Sequence, residues 1–510
     1  MTLAATGFTG LDWAILAGYG AAVVGLGAAV SRRRPGRDEL FLAARAMPMW
    51  AVAVSVLATS LSAATFLGGP QQAYASDLTY LSANIGGLLA VIVVAVVFVP
   101  AFYRAQVTSI YELLGHRFGA PVRSAASVMF MLGRLLASGA RLYMVALPFA
   151  LIAFGDLRPS SLLAAIAVIA VVATMYTMLG GIRAVIWTDV LQAVVLVGTV
   201  GIAFWLLFER IDAPLEEIVS VLRDDPAGDK TRWLDPSLDP ARPFTIWTAL
   251  IGFTLFNMAA FGTDQDLTQR LLTCRSARRG SWSLILANVL SWPVVALFLG
   301  LGLLLYVFYQ HPELAGVAPE AADAVTDTRR VFLQFILDEM PVGLRGLMVA
   351  GLFAAAMSST DSALNALAST TIADFYRPLR RDDARGDVHA SRLAIGGWAL
   401  GLAGVAAICV LWQQRSGETL IAFALGVMVF AYGGLLGVFL TALLTRRGST
   451  ASALAALGAG LVVVIAMDTS VWSRWAPSWL PAAVAFPWKM TIASGVSFGV
   501  CVLGGRRVTA

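Results

Sequence analysis

Thirteen stretches of this chain are apolar over a length that spans a bilayer, near residues 11–30, 47–75, 79–103, 124–154, 160–180, 183–208, 246–266, 282–309, 344–374, 392–412, 419–444, 449–467 and 487–504. A transmembrane helix needs about 20 consecutive, mostly apolar residues. Backbone in lipid must satisfy its own N–H and C=O groups, so a chain made of such stretches folds as a bundle of helices. Only 13% of the residues are charged, against about a quarter in soluble domains. The predicted class is an all-α polytopic membrane protein with about 13 transmembrane helices in contact with the lipid bilayer.

The net charge of +5 does not indicate nucleic acid, because the arginines stand in short clusters between apolar stretches. Arg32, Arg33, Arg34, Arg37 and Arg45 follow the first stretch, and Arg104, Arg117 and Arg123 the third. Arg270, Arg275, Arg278 and Arg279 follow the seventh, and Arg377, Arg380, Arg381 and Arg385 the ninth. Arg446 and Arg447 follow the eleventh, and Arg506 and Arg507 the last. If the helices alternate in direction, all of these fall on one side, which the positive-inside rule makes cytoplasmic. The N-terminus is then outside and the C-terminus inside. No basic segment precedes the first apolar stretch, so a cleaved leader is not expected. Cys274, Cys409 and Cys501 lie too far apart for a metal or redox motif, and nothing calls for an obligate protein partner.

Polar residues inside these stretches are the functional clue, since ionisable groups within a membrane mark ion or substrate pathways. The ninth contains Ala355-Ala356-Met357-Ser358-Ser359-Thr360-Asp361-Ser362. Helical spacing puts Ala355, Ser358 and Ser359 on one face and Ser358, Asp361 and Ser362 on an overlapping one. Clustered oxygens with one negative charge suit a small dehydrated cation. The alternative is hydroxyls that only pack between helices and bond back to carbonyls. The second stretch is polar at its centre, Ser60 to Thr65, and is closed by Gly68-Gly69-Pro70; the seventh runs from Gly252 through Asn257 and Phe261 to Asp264-Gln265. Interrupted segments in matching positions of two halves point to a transporter's binding site. Arg134 and Arg141, seven apart within the fourth stretch, share a helix face. Either arginine is an anion anchor or a structural cation, and a guanidinium suits bidentate carboxylate recognition.

Several segments together resemble the sodium/solute symporter family, which has the LeuT-type five-plus-five inverted-repeat fold. They are Ser60 to Gly68; Pro100-Ala101-Phe102-Tyr103-Arg104 with Thr108-Ser109-Ile110-Tyr111-Glu112; Gly180-Gly181 through Thr188-Asp189 to Gln192; and Asp264-Gln265 with Gln269-Arg270, which is similar to a D-Q-x-x-x-Q-R signature. The second of these is nearest the branch of multivitamin, monocarboxylate and iodide carriers. The resemblance implies one repeat over 46–210 and another over 246–445. Residues 1–45 would form a first helix and loop, 211–245 an outer loop, and 446–510 two further helices. It implies a sodium ion held by the carbonyls of Ala58, Leu61 and Ala355 and the hydroxyls of Ser358 and Ser359. A second cation site is implied at Asp189, Ser358, Asp361 and Ser362. Two carboxylates there would hold a second sodium or share a proton. Asp264 and Arg270 read as a cytoplasmic ion pair, and Asp189 has a structural helix-end reading as an alternative.

Candidate contacts for the solute are Ser60, Ser62, Thr65, Asn257 and Phe261, with Arg141 and Arg134. The expected function is sodium-coupled import of a small organic solute by alternating access across the cell (inner or plasma) membrane. The solute class read from the arginines bears a carboxylate: a monocarboxylate, sialic acid or an amino acid. The alternatives are a membrane sensor of the same fold, a symporter for a neutral solute such as a sugar, and a channel. His116, His311 and His389 are scattered, with no nucleophile–base arrangement, so an enzyme is not expected.

Overall fold

The computed structural model describes residues 8–30, 41–315, 328–379, 384–412, 420–477, 481 and 483–504. Arg32, Arg33, Arg34, Arg37, Arg380, Arg381, Arg506 and Arg507 lie outside the described residues. Among those described the fold is all-helical. Its main helices are α1 (Gly10–Val30), α2 (Met49–Ser60), α3 (Ala63–Ala75), α4 (Thr79–Ala105), α5 (Ala120–Phe154), α6 (Pro159–Met175) and α7 (Gly181–Arg210). They continue as α8 (Thr248–Gly262), α9 (Gln265–Leu272), α10 (Ala277–Gln310), α11 (Leu344–Thr370), α12 (Ala384–Trp412), α13 (Leu420–Leu444), α14 (Thr450–Ala466) and α15 (Phe486–Leu503). Nine described helices are long and apolar enough to cross a membrane, and the pair α2–α3 makes a tenth. Three shorter apolar helices, α6, α8 and α14, stand where the remaining predicted stretches fall.

The first interruption is not where glycine and proline suggest. Gly68, Gly69 and Pro70 all lie inside α3, and the chain breaks earlier, at Leu61 and Ser62, with a 60° bend. Leu61 is extended (φ −83°, ψ 110°), and the Ser62 N–H turns to Thr65 Oγ1 instead of continuing the ladder. This N-terminal cap starts a new helix and stops the old one. Pro70 survives within α3 against α10, where a side chain on Gly302 would sit 2.3 Å from the Pro70 carbonyl oxygen. The seventh stretch breaks at Thr263 and Asp264, where the Asp264 carboxylate caps α9 by accepting from the Asp266 N–H (2.9 Å). Gly181 bends α6 into α7 with φ 58°, a conformation that an L side chain rarely adopts.

Helix α11 is the centre of the bundle. Nearly every residue from Gly346 to Thr370 is buried, as expected of a helix packed on all sides. Its N-terminus is held by a residue from the other end of the chain: Asp12 Oδ1 accepts the N–H groups of Gly343 (2.8 Å) and Gly346 (2.9 Å). Asp12→Ala removes this cap and is expected to cost about 1–2 kcal/mol. The loss should appear as a lower thermal midpoint of the solubilised protein, with Asp12→Asn intermediate. An unchanged midpoint for Asp12→Ala would show that the cap does not hold α11.

The two motif-bearing segments near the Arg-rich ends dock on one another. Gln265 bridges the Thr108 carbonyl and the Ile110 N–H (both 2.9 Å), and Tyr111 donates to the Thr263 carbonyl (2.9 Å). Asp374 accepts from Ser109, Ser127 and Arg123. At the opposite end Lys230, in the 211–245 loop, donates to the carbonyls of Tyr74 and Ser76 at the end of α3 and lies 3.8 Å from the centre of the Tyr306 ring. Burial pushes its ammonium below the ordinary lysine range, partly offset by Asp225 and Asp77.

Candidate functional site

Helix α11 packs against both halves of the broken α2–α3 pair and against the α6–α7 segment. The last carbonyls of a helix lack intrahelical donors. The Leu57 carbonyl takes the Leu61 N–H and the Ser60 hydroxyl, while Ser62 turns its N–H away from the ladder at Ala58. Ala58 and Leu61 thus present carbonyl groups at a break, next to α11. On α11 the Ser359 hydroxyl donates to the Ala355 carbonyl (3.2 Å) and the Ser358 hydroxyl to Asp189 Oδ1 (2.6 Å). Thr59 and Ser362 stand 3.5 Å apart, oxygen to oxygen, and tie the break to α11. The predicted hydroxyl face exists, and all its members are buried.

The predicted second cation set holds a guanidinium. Arg270 Nη2 lies 3.1 Å from Asp189 Oδ2 and donates to the Ser362 hydroxyl (2.6 Å), while its Nε donates to Ser55 (2.9 Å). Ser55 itself donates to Asp189 (2.5 Å). Asp361 takes the Ser362 N–H on its Oδ1 (2.7 Å). The expected Asp264–Arg270 pair is not made. Arg270 pairs with Asp266 (2.6 Å), one helical turn before it, and Asp264 faces Arg134 (2.7 Å) and the Tyr432 hydroxyl (2.6 Å). Capping explains the difference: Asp264 folds over the start of α9, whereas residues 266 and 270 share a face. Asp189 stands about two turns after Gly181 in α7, and its carboxylate is met by Ser55, Ser358 and Arg270 on other helices rather than by groups near Trp187 and Thr188.

Beside this cluster is a cavity of about 140 Å³ between α3, α4, α5, α8 and α10. Of the predicted solute contacts, Ser60, Thr65, Asn257, Phe261, Arg134 and Arg141 line it. Ser62 is spent on the cap of α3 and is not among the lining residues. The two arginines differ sharply. Arg134 is engaged by Asp264 (2.7 Å) and Asp266 (3.0 Å), so its charge is already met. Arg141 is 8% exposed and its Nη2 touches Met428 Sδ at 3.2 Å; its Nε, like that of Arg134, has no hydrogen-bond acceptor. Among the described residues, no carboxylate lies within ion-pair distance of it.

Asn84 and Asn288 also line the cavity, and the buried Asn288 Oδ1 has no hydrogen-bond donor. Sequence reasoning missed both, although an amide within an apolar stretch is itself a signal. A larger cavity of about 520 Å³ adjoins toward the 211–245 loop. Its wall includes Gln72, Thr79, Gly426 and Phe430, with Arg232 and Arg242 at the loop. Thr79 and Gly426 immediately neighbour Tyr80 and Leu425 of the inner cavity.

A sequence model of the sodium:solute symporter family matches residues 40–460. The chain is 31% identical over 462 residues to the sodium/sialic acid symporter SiaT of Proteus mirabilis, covering 89% of each protein. It is 30% identical over 375 residues to the sodium-coupled monocarboxylate transporter 2 of Mus musculus, covering 72% of this chain and 58% of that one. The solved structure of a Na⁺-coupled sialic acid symporter, substrate-bound and outward-open, matches with a TM-score of 0.81 at 28% identity, over 99% of this chain and 100% of that one. The family match over most of the chain and the near full-length relative carry one conclusion: this chain belongs to the sodium:solute symporter family.

Proposed function

We propose that the protein uses inward sodium flow to import a small carboxylate-bearing solute by alternating access across the cell membrane. The observation that carries this reading is Arg141, a buried guanidinium that lines a cavity with no carboxylate among its described residues. A buried charge is costly unless paired, and a guanidinium fork fits a carboxylate. Asn84, Asn257, Asn288, Ser60 and Thr65 add donors and acceptors for hydroxyl or amide groups. A hydroxylated acid such as the sialic acid carried by the bacterial relatives has both features. In this reading the helices form thirteen spans in two inverted repeats, 46–210 and 246–445, with the N-terminus outside, and the larger cavity opens to the exterior.

Sodium is proposed to sit where α11 meets the α2–α3 break, with the carbonyls of Ala58, Leu61 and Ala355 and the hydroxyls of Ser358 and Ser359 as ligands. Neutral oxygens suit an ion that must also leave. At Asp189, Arg270 already supplies a positive charge, so a second sodium among Asp189, Ser358, Asp361 and Ser362 requires that guanidinium to withdraw. Charge movement reads the stoichiometry. One sodium with one monoanion carries no net charge, whereas two carry one positive charge and gain about 2.3 kcal/mol per 100 mV.

The test is uptake into proteoliposomes under an inward sodium gradient, with choline replacing sodium as control. Sialic acid, monocarboxylates, amino acids and sugars serve as candidate solutes. Uptake of an acid should require sodium, and the amide of the same acid should compete about tenfold less well or worse, the value of one lost charged contact. Equal competition by acid and amide would make the solute neutral, and sodium-independent uptake would remove the coupling.

A further inference from the structure

An unbroken line of buried charges runs from the hydroxyl face of α11 to the solute cavity. Ser358 meets Asp189 Oδ1 (2.6 Å), and Asp189 Oδ2 meets Arg270 Nη2 (3.1 Å). Arg270 Nη1 meets Asp266 Oδ1 (2.6 Å), and Asp266 Oδ2 meets Arg134 Nη2 (3.0 Å). Arg134 then forms part of the cavity wall with Arg141. The four charged side chains are at most 2% exposed, so little solvent screens one from the next. Asp266 is the joint of this line: one of its oxygens accepts a hydrogen bond from the arginine beside the hydroxyl face, and the other lies in ion-pair contact, without a hydrogen bond, with the arginine at the cavity. It occupies the first of the three unspecified positions in the D-Q-x-x-x-Q-R stretch, so the resemblance assigns it no role.

We propose that Asp266 is a positioning residue that couples the ion site to the solute site by sharing its charge between Arg270 and Arg134. This rests on the sodium-coupled carboxylate reading given above. A cation entering beside Ser358 and Asp189 draws on the Asp189 charge, and Arg270 leans further on Asp266. Asp266 then holds Arg134 less. The same Nη2 also touches Asp264 at 2.7 Å, so Arg134 keeps a carboxylate partner as its contact with Asp266 weakens, and the shift between the two is the coupling element. The positive charge released at the cavity adds to that of Arg141 and favours an anionic solute. Linkage makes the effect reciprocal, so a change at Arg134 must alter sodium affinity.

That reciprocity allows a test with sodium alone. The full chain in nanodiscs is titrated with sodium against choline, and thermal stabilisation gives the half-saturating concentration. The proteins are wild type, Arg134→Gln, Asp266→Asn and the double variant. Arg134→Gln should shift the sodium midpoint by about fivefold or more, the scale of an allosteric coupling. In the Asp266→Asn background the same substitution should shift it by less than about twofold, because the joint is gone. If Arg134→Gln has no effect, or the same effect in both backgrounds, the coupling role of Asp266 is overturned while the sodium reading stands. If wild type gains nothing from sodium over choline, the sodium reading fails and takes the coupling with it. Should a neutral variant not fold, Arg134→Lys and Asp266→Glu keep the charges, move the contacts and enter the same cycle: a background-dependent shift supports the coupling, and an equal or absent shift overturns it.

Discussion

Arg141→Met should lower uptake of an acidic solute by about a hundredfold or more while raising the thermal midpoint of the solute-free protein. The two effects have one cause. Removing one partner of a buried, hydrogen-bonded charge pair costs about 2–5 kcal/mol of binding, and each 1.4 kcal/mol is about tenfold in affinity. In the solute-free protein, however, the guanidinium has a methionine sulfur at 3.2 Å and an unmatched Nε. An apolar side chain of similar length there avoids burying that charge, a change worth about 1–4 kcal/mol in comparable replacements. Arg141→Lys keeps the charge but loses the planar fork, so it should fall between, with about a tenfold loss. Uptake assays on the three proteins at matched membrane abundance, with thermal melts alongside, decide the matter. A structural arginine would give the opposite pattern: Arg141→Met would lose stability, and uptake would fall only in proportion to abundance.

Much of this arrangement is legible in the sequence, and the exceptions share a physical cause. Hydropathy locates every predicted stretch on a helix, because burial in lipid leaves a composition signal over about 20 residues. The hydroxyl face of Ser358, Ser359 and Ser362 follows from helical periodicity alone. Breaks are harder to place. Gly68-Gly69-Pro70 is the conspicuous breaker, yet the chain parts at Leu61 and Ser62, because a side-chain cap redirects an N–H without any unusual residue. Partner choice is harder still. Arg134 and Arg141 have the same spacing logic and opposite situations, since what distinguishes them is Asp264 and Asp266, more than 100 residues away. Arg270 shows where the sequence held more than its motif. Asp266 stands four residues before it on one helix face, a pairing signal that the more conspicuous Asp264 hides.

Ser359→Ala should raise the sodium concentration for half-maximal uptake by about five- to tenfold, and Ser358→Ala/Ser359→Ala by about 25- to 100-fold. Maximal uptake at saturating sodium should stay near wild type. The fate of the hydroxyl hydrogens sets the size of these effects. Ser359 spends its hydrogen on the Ala355 carbonyl and Ser358 spends its own on Asp189. Each oxygen is thereby left with lone pairs only, held in one orientation before an ion arrives. Losing one such contact costs about 1–1.5 kcal/mol, which is close to tenfold, and two independent losses multiply. Ser359→Thr keeps the oxygen and should restore most of the affinity, which separates loss of a ligand from loss of packing. A sodium dependence unchanged in the double alanine variant would place the ion elsewhere and leave these hydroxyls as packing groups between α11 and its neighbours.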